Sequence, residues 1–190
     1  MTNFTRVAEM NVAFNNPKGD PHNINWERIE KQCKNILDEY NELMRAIEGI
    51  KVLREQGGHM SPEQAKHYKL KDGQVPFYVQ LVEHVRDALC DIHVFGYGAH
   101  HLMGYDADRD MDSVVDGVMT RFCRDEEELQ ATIKQWSEHG ITEVYVEGEF
   151  PKKVVKSAKD QPDAPKGKFL KSIGYSEPVF YEAPYAADPA

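Results

Sequence analysis

Between Glu83 and Gly104 the chain reads EHVRDALCDIHVFGYGAHHLMG, most of it apolar, small or aromatic, with no proline. No other stretch limits the fold as strongly. A segment this long without a proline reads as a helix. Its composition sets it against other elements rather than in water. Yet Asp87 and Asp91 stand in its middle, one helical turn apart. A carboxylate on a buried face is costly unless it is paired or bound to a cation.

A second long helix is expected from about Asn25 to Ile50. Ile29, Cys33, Ile36, Leu37, Tyr40, Leu43, Met44 and Ile47 form an apolar stripe of period near 3.6. Glu39 lies on that stripe, between Ile36 and Leu43, and Glu42 lies beside it. Either acidic pair alone also fits a solvated helix face. If the two helices are antiparallel neighbours, however, four carboxylates converge. A divalent cation would relieve their repulsion, and hard oxygen donors select Mg²⁺, with Mn²⁺ as a substitute.

Around these helices the remaining elements follow from local signals. Residues 3 to 14 predict a short helix, with Val7, Met10 and Phe14 at helical spacing, and NNPKGDP reads as a loop. Residues 51 to 74 are polar, and Ser61-Pro-Glu-Gln64 resembles a capping box for a further short helix. The helix carrying the two aspartates is expected over 76–103, with Gly104 as its stop. Asp106 or Asp108 caps a helix ending near Phe122, and Asp125 to Glu128 start another that runs to His139, with Gly140 as its stop. ITEVYVEGEF then alternates as a strand does, KKVVKSA is its expected partner, and KFLKS is a third short strand. The tail from Pro184 is expected to be loose. The fold class is therefore mainly α: a helical bundle with a small C-terminal β element. The expected division is a helical catalytic domain over 1–140, with 141–190 as a β appendage and tail packed on it.

The bulk numbers narrow the function. At 190 residues and 41% hydrophobic, the chain can build one real core. Its net charge of -9 argues against a nucleic-acid partner. Cys33, Cys90 and Cys123 are an odd, widely spaced set, expected as buried free thiols of a reducing compartment. Neither a secretion signal nor a membrane-length apolar run is evident, so a cytoplasmic location is expected (a host's cytoplasm, if the chain is viral). The adjacent His100 and His101 point to different sides of a helix and are expected to pack or hydrogen-bond rather than bind metal.

DEYNE, followed by a second acidic helix, resembles the all-α nucleoside triphosphate pyrophosphohydrolases, the MazG-like superfamily. Their pattern is E-x-x-E on one helix and E-x-x-D on the next. Glu39 and Glu42 match the first half, and Asp91 matches the final aspartate. The glutamate three residues before it is replaced by Ala88, with Asp87 as the stand-in and Glu83 in reserve. The D-A-L-x-D version and VFGYGAHHLMGYD resemble the phage-type, phosphoribosyl-ATP pyrophosphohydrolase-like branch, which includes the MazZ type. GKFLKSIGYSEPVF resembles that branch's G-K-x-x-K-x-x-x-Y-x-x-P segment. MTRF resembles the end of its S-N-M-S-K motif, with Arg121 at the lysine and Val118 at the asparagine. FNNPKGD is a weaker echo of the branch's N-terminal region.

The resemblance implies cleavage of a nucleoside triphosphate between its α and β phosphates, giving a monophosphate and pyrophosphate. A purine deoxynucleotide such as dGTP or dATP is the expected substrate. Glu39, Glu42, Asp87 and Asp91 would be catalytic metal ligands for Mg²⁺. One of them, or Asp38 or Glu83, would orient the water. Arg121, Lys168 and Lys171 would bind phosphates, and Asn11, Phe14 and Tyr175 the nucleoside. The resemblance also implies a homodimer or homotetramer. Two other readings stay open: phosphoribosyl-ATP hydrolysis on the same fold, and a non-catalytic helical nucleotide-binding protein.

Overall fold

The computed structural model describes residues 1–57 and 77–180. The expected capping box at Ser61 and the tail from Pro184 lie outside these residues. The backbone forms two compact units, Met1–Ala107 and Asp108–Tyr181. The boundary expected at 140 falls inside the second unit, because two shorter helices group with the sheet.

The first unit contains α1 (Asn3–Ala13), α2 (Trp26–Glu55) and α3 (Phe77–Met103). Thr2 caps α1 by accepting from the Thr5 N–H, and Asn25 caps α2 by accepting from the Arg28 N–H at 3.1 Å. No proline or glycine interrupts Lys51 to Glu55, so α2 runs past the expected end at Ile50. At Gly104, φ is +85°, a left-handed conformation that ends α3 at little steric cost.

Helices α2 and α3 pack antiparallel. A Cβ built on Gly49 would lie 3.1 Å from Leu81, and one built on Gly98 would lie 3.3 Å from Gln32. The end of each helix therefore meets the beginning of the other. The half-buried or buried seam of α2 runs through Ile29, Gln32, Ile36, Glu39, Leu43 and Ala46. This differs from the expected stripe. That stripe was too wide to face one neighbour, and the structure buries only one flank of it. Leu37, Tyr40 and Met44 remain 57%, 49% and 42% exposed. Helix α1 packs on α3, with the Phe4 and Tyr97 rings edge to face at 6.0 Å. The NNPKGDP loop docks on the end of α3: the Gly19 N–H donates to the His101 carbonyl at 3.0 Å, and His101 Nε2 donates to the Asn16 carbonyl at 3.0 Å. Any Cβ at Gly19 would overlap the Leu102 carbonyl, which is why glycine is needed there.

The second unit contains α4 (Ala107–Met119), α5 (Glu126–Glu138) and an antiparallel sheet of β1 (Val144–Glu147), β2 (Val154–Ser157) and β3 (Phe169–Leu170) in sequence order. Val146 pairs with Val155, and Val155 with Leu170. Asp125 caps α5 as expected, accepting from the Glu128 N–H at 2.8 Å. The core gathers Cys123, Leu129, Ile141, Val155, Ala164 and Leu170, with Trp136 against it. The three cysteines are free thiols, but only Cys123 is buried. Cys33 and Cys90 are exposed because each lies off the seam that its helix buries.

Candidate functional site

The register that sets Gly49 against Leu81 and Gln32 against Gly98 brings Glu39 level with Asp91. Both are half-buried, whereas Glu42 and Asp87 are exposed at the rim. Glu39 and Asp91 are thus an inner pair, and Glu42 and Asp87 an outer one. The electrostatics follow this order. Partial burial pushes the Glu39 carboxyl above its ordinary range, and the Asp91, Glu42, Asp87 and Asp38 charges add to it, Asp91 most.

Beside the pairs lies an open groove of about 490 Å³, lined by Glu42, Arg45, Ala46, Leu81, His84, Asp87 and Ala88. Arg45 comes within 3.8 Å of Glu42 in an exposed pair, a contact of little energy. Arg45 and His84 were not singled out in the sequence, although Arg45 follows Glu42 by three residues and so shares its face. Ala88 is only 3% exposed. Ala88, where the resemblance expects a glutamate, is thus buried, and Asp87 beside it reaches the groove. Among the described residues, no three His, Cys, Asp or Glu side chains are already gathered as a metal cage. The four carboxylates form a loose, hard-oxygen, like-charged set, the kind that a divalent cation draws together.

Other sequence candidates fall elsewhere in the first unit. Asn11 is buried, its amide donates to the Val7 carbonyl at 2.9 Å, and it packs near Gly98. Phe14 is 69% exposed just past α1. His100 and His101 each donate to a backbone carbonyl, of Gly96 and Asn16 respectively. Burial lowers the His101 pKa, so its imidazole stays neutral at physiological pH.

Arg121, Lys168, Lys171 and Tyr175 belong to the second unit. Three of them come together. The Arg121 guanidinium lies 5.4 Å from the centre of the Tyr175 ring, and Lys171 Nζ lies 3.9 Å from it. Lys168 is engaged with the Asp163 carbonyl. Glu177, which sequence reasoning did not single out, binds Lys171 Nζ at 2.9 Å and accepts from the Tyr175 hydroxyl at 2.7 Å. Val118, where the resemblance expects an asparagine, is exposed.

No protein-family model and no curated protein matches the chain. No described helix is long and apolar enough to cross a membrane.

Proposed function

We propose that the chain is a Mg²⁺-dependent nucleoside triphosphate pyrophosphohydrolase of the MazG-like, all-α type. It would cut a purine deoxynucleotide such as dGTP or dATP to the monophosphate and pyrophosphate. One observation carries the reading: two antiparallel helices bring carboxylates level across their seam, and among the described residues the charges acting on Glu39 are acidic. Crowding that raises a carboxyl's pKa costs stability, and a bound divalent cation would remove that cost. The donor set therefore fits Mg²⁺, or Mn²⁺ in its place, held by Glu39, Glu42, Asp87 and Asp91. When bound, the ion would neutralise the phosphate oxygens as charge develops on them.

The chain's own residues would divide the remaining work. The carboxylates position the cation and a water, with Asp38 and Glu83 as further candidates for orienting it. Arg121, Lys168 and Lys171 are the proposed phosphate partners, and Asn11, Phe14 and Tyr175 the proposed nucleoside partners. A homodimer or homotetramer is part of the reading. Leu37, Tyr40 and Met44 form an exposed apolar stripe roughly 120° around α2 from the seam, a face that another copy would cover. A cytoplasmic location is proposed with it.

Incubation of the purified protein with Mg²⁺ and each common dNTP and NTP, with the products resolved, tests the reading. Monophosphate plus pyrophosphate is expected, and Glu42→Gln and Asp91→Asn should abolish it. Phosphoribosyl-ATP belongs in the same panel. Turnover of that compound alone would move the assignment to histidine synthesis. A second reading, a bundle that binds nucleotide without cutting it, is favoured by the alanine at position 88. It predicts no product from any substrate.

A further inference from the structure

Glu177 lies in a segment without regular secondary structure, yet the segment is tightly tied down. The Ser176 N–H donates to Thr120 Oγ1 at 2.9 Å, and the Val179 N–H donates to Ser113 Oγ at 2.9 Å. The Lys171 carbonyl accepts from Trp136 Nε1 at 2.8 Å. Lys171 and Tyr175 are thus held in place by the backbone and the core. Each Glu177 oxygen takes one of their donors: Oε1 the ammonium and Oε2 the phenol. The Arg121 guanidinium lies 5.4 Å from the centre of the same ring, and among the described residues its Nε is buried without a hydrogen-bond partner. One cation and one hydroxyl thereby hold the carboxylate, and the Arg121 charge also acts on it, an arrangement that suits any small oxyanion.

We infer that Arg121, Lys171 and Tyr175 form a phosphate-binding site, and that Glu177 occupies it in the free chain as a displaceable internal anion. The inference rests on and deepens the phosphate role proposed above for Arg121 and Lys171, and it moves Tyr175 from the nucleoside to the phosphate. Displacement is easy because the Glu177 side chain is 73% exposed and the Lys171 side chain 42% exposed. An exposed ion pair holds weakly. A polyphosphate brings more charge and more acceptor oxygens than a carboxylate does. The ligand class is a di- or triphosphate group, and Glu177 sets the threshold for its entry.

The test is calorimetric titration of the full chain with inorganic tripolyphosphate, with EDTA present and no divalent cation. Glu177→Gln should bind about three- to tenfold more tightly than wild type, the gain from removing an internal competitor. Lys171→Met should bind at least about tenfold more weakly, as expected for loss of a charge-assisted contact. Glu127→Gln, an exposed carboxylate elsewhere in the same unit, controls for net charge and should change affinity less than about twofold. The inference is overturned if Glu177→Gln binds no more tightly than Glu127→Gln, or if neither wild type nor Glu177→Gln binds. The probe carries no nucleoside and the titration contains no metal. Its outcome is therefore separate from whether the chain hydrolyses nucleotides.

Discussion

The Asp91 carboxylate is the strongest charged influence on Glu39, acting across the seam between α2 and α3. The two residues are far apart in sequence and sit on antiparallel helices, so the folded bundle itself creates their repulsion. Glu39→Gln should therefore stabilise the metal-free protein at pH 7, by about 0.5–1 kcal/mol, the scale of like-charge repulsion between partly exposed groups. The sign follows from the raised carboxyl. Below the ordinary value of 4.5, Glu39 is neutral whether folded or unfolded, and its contribution to folding is intact. As pH rises through the raised folded value, that contribution is lost. The gap between the variant and wild type in urea should thus open with pH. Excess Mg²⁺ should reverse it, since at about 100 times its Kd a ligand adds about 2.7 kcal/mol to the form that binds it. A wild-type melting temperature that Mg²⁺ leaves unchanged would count against the metal reading.

Ala88 tests whether the glutamate of the pattern that the sequence resembles has a substitute here. It is buried and, with Ala46, lines the groove. Restoring the family residue by Ala88→Glu should destabilise the protein by about 2–4 kcal/mol, because it adds volume and an unpaired charge at a packed contact. Asp87→Asn should leave stability within about 0.5 kcal/mol, as an exposed position does, while abolishing any turnover. Denaturation curves for both variants, read beside the nucleotide assay, decide the point. A stable and more active Ala88→Glu would show that Asp87 is no stand-in.

The exposed stripe of α2 predicts self-association. Leu37 and Met44 lie two turns apart on one face, and burying a side chain of that size contributes about 1.5–3 kcal/mol. Leu37→Glu combined with Met44→Glu should convert an oligomer to a monomer in sedimentation equilibrium. A wild-type chain that is already monomeric at high micromolar concentration would remove the oligomer from the proposal.

The limits of sequence reading are visible in these same residues. The helices of α3 and α5 were legible, because Gly104, Asp125 and Gly140 are strong local punctuation. The first strand was legible from β-branched alternation at Val144 and Val146, and the second from the adjacent Val154 and Val155. The position of Glu39 could be read as well, because it sits among Ile36 and Leu43 at helical spacing. The true burial face of α2 could not be read. Gln32 and Ala46 belong to it and Leu37 and Tyr40 do not, a choice made by the partner helix rather than by hydrophobicity. Glu177 was invisible for a related reason. Its partner Lys171 is six residues away along an irregular segment, where no periodicity relates the two.

Glu128 joins the helical and irregular parts of the second unit, and it is buried. Burial acts to raise its pKa. The hydrogen bonds from Ser172, the Arg124 backbone and the Arg124 guanidinium outweigh it and hold the carboxyl at about 2. A lowered pKa stabilises the fold at pH values above the ordinary 4.5, and the contribution is lost as pH falls towards 2. Glu128→Gln should cost about 1–3 kcal/mol at pH 7, because an amide cannot accept from Ser172 and Arg124 with both of its terminal atoms. Trp136, which donates to the Lys171 carbonyl at 2.8 Å, reports on this unit. In a Trp26→Phe background its fluorescence is isolated, and Trp26 is 65% exposed, so that change is mild. Urea curves of the two proteins should separate at pH 7 and converge near pH 2–3. Coincident curves at pH 7 would mean that the buried carboxylate gives the fold no net stability, its hydrogen bonds only offsetting the cost of its burial.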